Sequence, residues 1–271
     1  MIKFSATITC QYDTPFAPFS AAQCDEALDW VSQSSFDGAE VCIASYDSFD
    51  VQKLKCDLDA RRLGCSTIST GQSRILENIS LTHDDLNAQK KAQQRILDHI
   101  DAATVLGSKV TIGLLRGLGE MNRLTEQKKL LIKNLEPCVE YAQSKHVTLL
   151  LEAINRYETA MLNSAEQVLA FIADMGDPDC LGILWDIFHA NIEDTGFEKA
   201  IDSMGRHLRH VHLADSNRYF PGWGHIDFDA IYDKLQAVGY SDYLSFECLN
   251  LPSALVVREQ SAGFISRLRG R

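Results

Sequence analysis

Short apolar runs alternate along the chain with longer stretches whose apolar positions recur at helical spacing. Eight such runs occur: Phe4–Thr9, Ala39–Ala44, Ser66–Thr70, Val110–Leu115, Thr148–Ile154, Leu181–Ile187, Leu208–Ala214 and Tyr243–Leu249. Each is short, and most are rich in Val, Ile, Leu or Thr, as expected of strands buried on both faces of a parallel sheet. Between them, Leu86–Leu106 reads as a helix closed by Gly107. Thr125–Lys145 aligns Leu131, Leu135 and Val139 on one face. Ser164–Met175 opens on a serine cap, and Phe228–Val238 precedes the turn at Gly239. Eight strands alternating with helices predict a single (β/α)8 TIM barrel over residues 1–271. The competing doubly wound open sheet lacks a GxGxxG fingerprint after its first strand.

Composition narrows the function. The 271 residues are 45% hydrophobic and 23% charged, the balance of a globular chain rather than a disordered or fibrous one. The net charge of −11 argues against nucleic acid or an anionic membrane surface as partner. It is compatible with cation binding, and one local arginine can still hold a small anion. No run of 18 apolar residues predicts a membrane span. The segment MIKFSATITC does not read as a signal peptide. The eight cysteines form no CxxC pair, and several lie in apolar runs. They are expected to be reduced, mostly buried thiols of a cytoplasmic protein.

The chemistry concentrates in residues 147–250. Glu152 in LLLEAIN, Asp186 in ILWDIFH, His212 in HVHLAD and Glu247 in LSFECLN sit in or at the ends of the last four apolar runs. They are separated by 34, 26 and 35 residues, each about one strand–helix unit. Successive barrel strands would deliver one side chain each to a shared centre at the C-terminal mouth, where such barrels build their active sites. A lone buried Glu or His is ordinarily a core polar group satisfied by hydrogen bonds. Four in register point to a metal centre, because buried carboxylates need a compensating cation. Three carboxylates and one imidazole suit Mn²⁺, Mg²⁺ or Co²⁺. Further polar residues follow each of these positions: Asn155 and Glu158, His189, Asn191 and Glu193, then Asp215, Asn217 and Arg218 ahead of a PGWG turn. Arg116, in LLRG after the fourth run, is a second candidate beside Arg218 to pair with a substrate carboxylate.

The motifs ExxNRYE, DxFHxNIE, HxADSNRxxPGxGHxDF and the final SxEC resemble the xylose isomerase-like family of sugar isomerase and epimerase TIM barrels. They are most similar to its ketose 3-epimerases and, among these, to the 5-keto-L-gluconate epimerases. ISTGQS, SLTH at Ser80–His83 and TIGLLRG extend the likeness into the first half. The resemblance implies a divalent metal, Mn²⁺ first, held by Glu152, Asp186, His212 and Glu247. It implies that Glu152 and Glu247 are also the acid/base pair, and that Glu158, His189 and Arg218 hold the substrate. The implied partners are a keto-sugar or keto-sugar acid, with 5-keto-L-gluconate and D-tagaturonate the suggested pair, and a further copy of the chain in a dimer or tetramer. The implied reaction removes a proton beside a ketone and returns it to the opposite face, the metal stabilising the enediolate as a Lewis acid. A tagatose- or psicose-type ketose 3-epimerase, an aldose–ketose isomerase and a non-catalytic sugar-binding barrel are the alternatives. Endonuclease IV-like repair would need more histidines in the site and a basic groove. Trp185 before the metal aspartate and Trp223 in PGWG depart from the family pattern and would narrow the pocket. Cys248 is expected to face away from the centre.

Overall fold

The structure is a computed structural model that describes residues 1–271. Eight strands close into a parallel barrel in sequential order. The elements are β1 (Lys3–Thr9), α1 (Cys24–Gln33), β2 (Gly38–Cys42), α2 (Val51–Ala60), β3 (Gly64–Ser69), α3 (Gly71–Glu77), α4 (Leu86–Leu106), β4 (Lys109–Ile112) and α5 (Leu124–Ser144) in the first half. The second half holds β5 (Leu149–Ala153), α6 (Ala165–Asp174), β6 (Leu181–Asp186), α7 (Ile187–Glu193), α8 (Phe197–Met204), β7 (Leu208–Leu213), α9 (Phe228–Ala237), β8 (Tyr243–Phe246) and α10 (Ala254–Arg269). β8 pairs with β1 through Lys3–Tyr243 to Ala6–Phe246, which leaves no free sheet edge.

The strands are buried on both faces, which is why their sequences are nearly continuous apolar runs rather than alternating ones. Their two faces nevertheless differ. Phe4, Val41, Ile68, Leu151, Ile183, Trp185 and Val211 belong to the apolar layer beneath the helices. The alternate positions include Ser5, Thr7, Glu40, Thr111, Glu152, Asp186, His210, His212 and Ser245, all buried. Since strand side chains alternate, this second set lines the barrel interior. The interior of this barrel is therefore largely polar, with Leu150 and Leu184 among its apolar members, and towards its mouth it becomes ionisable.

Local chemistry starts the helices, at Ser164 as the sequence suggests and at four further caps. Asp50, Asp85, Ser164, Asp227 and Ser253 each cap a helix by accepting a backbone N–H with the side chain. Gly107, at φ 67°, closes α4 in the left-handed conformation. Two strands stop three residues short of the ends expected for their runs. β4 stops at Ile112 and gives way to a 3-10 turn over Leu114–Arg116. β8 stops at Phe246, so Glu247 lies just beyond the strand. No helix is long and apolar enough to cross a membrane.

Candidate active site and metal centre

Glu152 near the end of β5, Asp186 at the end of β6, His212 in β7 and Glu247 after β8 converge at the C-terminal mouth. One ligand atom from each lies within 4.8 Å of all the others. His212 Nδ1 is 3.1 Å from Glu247 Oε2, 3.7 Å from Asp186 Oδ2 and 3.8 Å from Glu152 Oε1. The outer two carboxylates come from strands three apart around the barrel, so they flank the centre, with Asp186 and His212 between them.

The buried polar atoms of this cluster are the test of whether it fits a cation. Asp186 Oδ2 and His212 Nδ1 are both inaccessible and have no hydrogen-bond partner. Buried acceptors are rarely left so. The opposite atom of each group is fully engaged. Asp186 Oδ1 accepts the backbone N–H groups of Phe188 (2.7 Å) and His189 (3.3 Å), capping α7. His212 Nε2 donates to Glu40 Oε2 at 3.1 Å. Each residue thus has one atom committed to holding it in place and one turned to the centre, the arrangement of an oriented metal ligand. The oxygen-rich donor set fits a divalent cation.

Glu40 in β2 is the residue beside this cluster that the motifs did not point to. Its carboxylate is inaccessible and accepts from Ser69 Oγ, His210 Nε2 (3.0 Å) and His212 Nε2. Although burial opposes its charge, His212 and His210 hold Glu40 well below the usual carboxylate range. With three donors on its oxygens, Glu40 orients His212 rather than forming a second centre with the two histidines. Its sequence signal was the same as for the ligands, a lone acid in an apolar strand (GAEVC), but it had no neighbouring motif.

Electrostatics separate the carboxylates. Burial, reinforced by the Glu247 charge, pushes Glu152 up to about 8. Burial also opposes ionisation of Asp186, yet His189 and His212 bring it down to about 2. Burial works against the His212 imidazolium, but Glu40 and Glu247 raise its pKa well above the histidine range. Repulsion among crowded carboxylates is what a bound cation would relieve. Gly113, after β4, makes room for one of them: a Cβ there would meet Glu152 Oε2 at 2.4 Å.

Above the centre lies a cavity of about 150 Å³ lined by Glu152, Glu158, His189, His212, Arg218 and Glu247. Glu158 Oε1 accepts from Arg218 Nη1 at 2.8 Å and from Asn155 Nδ2 at 3.1 Å. The same Asn155 amide donates to His189 Nδ1 at 2.7 Å. The Arg218 guanidinium lies over the rings of Phe16 (4.6 Å) and Phe188 (5.0 Å). Its backbone is left-handed, with φ 63°. Asp215 fixes that loop, its side chain accepting from Ser216, Gly222 and Ile226 N–H. Phe16 and Thr14, from the loop after β1, complete a wall that sequence motifs did not reveal. Larger hollows of about 680 and 670 Å³ lie among the outer helices and hold no comparable cluster.

Some expected residues are elsewhere. Arg116 is not brought to the cavity. Its guanidinium is fully enclosed and donates to the carbonyls of Gly113 (3.0 Å), Met161 (3.2 Å) and Leu162 (3.4 Å). The early end of β4 turns it into the wall instead of the mouth. Nor do Trp185 and Trp223 narrow the pocket. Trp185 lies on the outer face of β6, packs edge-on to Phe197 and donates to Asp194 Oδ2 at 2.9 Å. Trp223 is half exposed and reaches Gln260. Cys248 is buried in the apolar layer rather than in the cavity lining.

Residues 28–267 match the family described as the xylose isomerase-like TIM barrel. A "ketose 3-epimerase" of Arthrobacter globiformis is 29% identical over 220 residues, covering 79% of this chain and 74% of that protein. An "L-ribulose 3-epimerase" of Mesorhizobium japonicum is 47% identical over 113 residues, 42% of this chain and 38% of that one. A solved structure of an L-ribulose 3-epimerase superposes with a TM-score of 0.85 at 28% identity, covering 100% of this chain and 95% of that chain. The chain therefore belongs to the xylose isomerase-like TIM barrel family, and the relatives it matches in sequence are named as sugar epimerases, isomerase-class enzymes.

Proposed function

We propose that the protein is a divalent-metal-dependent epimerase of a neutral ketose, inverting the carbon beside the ketone. The observation that carries this reading is the pair Glu152 and Glu247, which flank one centre beneath a small cavity. Inversion needs proton transfer on both faces of the substrate, and two carboxylates approaching from opposite sides provide it. One glutamate takes the proton from the carbon next to the carbonyl, and the other gives one back from across the ring of ligands. Glu152, Asp186, His212 and Glu247 would hold the cation, Mn²⁺ in preference to Mg²⁺ or Co²⁺. When bound, it supplies Lewis-acid stabilisation of the negative charge that develops on the carbonyl oxygen. Glu158, His189 and Arg218 orient the ketone end, and the cavity walls exclude water while the proton is in transit.

Charge favours a neutral sugar over the keto-sugar acids 5-keto-L-gluconate and D-tagaturonate that the motif likeness suggests. Three glutamates line the cavity against one arginine, and that arginine is already paired with Glu158. Arg116 is enclosed behind the wall and cannot supply a second cation. Named relatives acting on L-ribulose and on ketoses agree with this choice.

The test is proton NMR of metal-loaded protein in deuterated water with L-ribulose, D-tagatose and D-tagaturonate. Deuterium at an inverted carbon next to the ketone, with kcat/KM at least about tenfold higher for a neutral ketose, is expected. Faster turnover of D-tagaturonate would overturn the neutral-substrate reading. Conversion to an aldose would make the enzyme an isomerase. Metal binding without exchange on any ketose would leave a sugar-binding barrel.

A further inference from the structure

Two cysteines stand sulfur to sulfur beside the mouth. Cys10 directly follows β1, and Cys24 opens α1; their Sγ atoms are 3.0 Å apart. Both residues are free thiols and both are half-buried. Two sulfurs in ordinary van der Waals contact sit further apart than this, and bond formation needs an approach of only about 1 Å more.

The segment between them is held at several points. Gln11 accepts from Ala44 N–H at 2.7 Å and donates to Ser45 O at 2.7 Å. Asn250 bonds the carbonyls of Pro15 (3.2 Å) and Ala17 (2.6 Å). Asp13 Oδ1 accepts from Ala21 N–H at 2.8 Å, next to the start of α1. These ties keep the two sulfurs facing each other.

We propose that Cys10 and Cys24 form a redox-modification site, converted by a small-molecule disulfide into an intramolecular disulfide that staples the end of β1 to the start of α1. The chemistry is thiol–disulfide exchange. The Cys24 thiolate attacks one sulfur of the small disulfide; that S–S bond breaks and the first small thiolate leaves. Cys10, its proton released to solvent, then attacks Cys24 Sγ and expels the second small thiolate. The protein pair loses two electrons, the reagent gains them, and the two released protons balance the two leaving thiolates. Cys24 is the suitable attacking sulfur. The shared hydrogen bond with Cys10 draws Cys24 below the usual thiol range against its burial, and the same bond, together with burial, pushes Cys10 up.

The test exposes the reduced full-length protein to oxidised glutathione, quenches with N-ethylmaleimide and maps peptides by mass spectrometry. The expected product has lost two hydrogens, carries a linked Cys10–Cys24 peptide, retains no glutathione on these two residues and reverts with dithiothreitol. Cys24→Ser abolishes the linkage. Cys10→Ser, checked for folding by circular dichroism, instead traps glutathione on Cys24 because the resolving thiol is gone. Glutathione on the exposed Cys56 while Cys10 and Cys24 remain alkylatable would overturn the proposal, as would a linkage between any other pair.

Discussion

Glu40 and His212 are 172 positions apart in sequence, yet Glu40 Oε2 lies 3.1 Å from His212 Nε2, on the edge of the ring away from the carboxylate cluster. In the neutral imidazole the contact places the proton on Nε2, so that Nδ1 is the nitrogen a cation would take in exchange for a proton. Glu40→Gln removes the charge and loosens that choice. The expected result is a metal dissociation constant raised by about 10–100-fold, measured by calorimetry on metal-free protein with Mn²⁺. Unchanged affinity would remove Glu40 from the metal centre.

Glu152→Gln and Glu247→Gln test the two-carboxylate mechanism. Each should lower the rate of epimerisation by at least about 100-fold, since each removes one of the two proton-transfer groups. Circular dichroism and metal content separate lost chemistry from lost structure. Wild-type turnover in either variant would sink the mechanism.

Arg116 should behave as a structural residue. Replacing it with Met leaves the carbonyls of Gly113, Met161 and Leu162 without their donor in a buried setting. A loss of about 1–3 kcal/mol in urea unfolding is expected. The KM of the folded variant should stay close to wild type. A large rise in KM with unchanged stability would instead place Arg116 in substrate binding.

His99 supplies a pH-dependent element remote from the metal cluster. Its Nδ1 lies 2.6 Å from the Tyr46 hydroxyl, a contact in which a neutral ring can accept. Burial, with the Arg95 charge adding, pushes its pKa down to about 3. In the unfolded chain histidine titrates near about 6.5. Between these values the unfolded chain binds a proton that the folded one refuses. The stability contribution is therefore complete above about pH 6.5 and is lost as the pH falls towards 3, at up to about 1.4 kcal/mol per pH unit. His99→Gln should flatten the stability difference between pH 7 and pH 5 by about 2 kcal/mol. An unchanged slope would show that His99 does not control it.

The barrel was legible because its strands are buried on both faces: Leu149–Ala153 and Leu181–Asp186 stand out as unbroken apolar runs. The cluster of Glu152, Asp186, His212 and Glu247 was legible for the converse reason, each being a charged or polar group where none is tolerated without compensation. Glu40 meets the same criterion, but its histidine partners sit on β7 across the barrel and nothing adjacent in sequence marks it. Arg116 lies in the wall because β4 ends at Ile112, rather than at Leu115, and the 3-10 turn that follows carries the next residues away from the mouth. Trp185 alternates with the inward Asp186 and so packs outward against Phe197 instead of narrowing the pocket. Phe16 lies on a connecting loop whose path over the cavity no periodicity encodes.

Asp186 also limits which side chains could ever replace it. One of its oxygens begins a helix and the other faces the cluster with Glu152, His212 and Glu247. A histidine there could offer a nitrogen to a metal, but it could not at the same time accept two peptide N–H groups. The bias of this centre towards oxygen is thus imposed partly by the backbone beside it. Helix initiation and ion preference are written into the same carboxylate, and evolution could not tune one without disturbing the other.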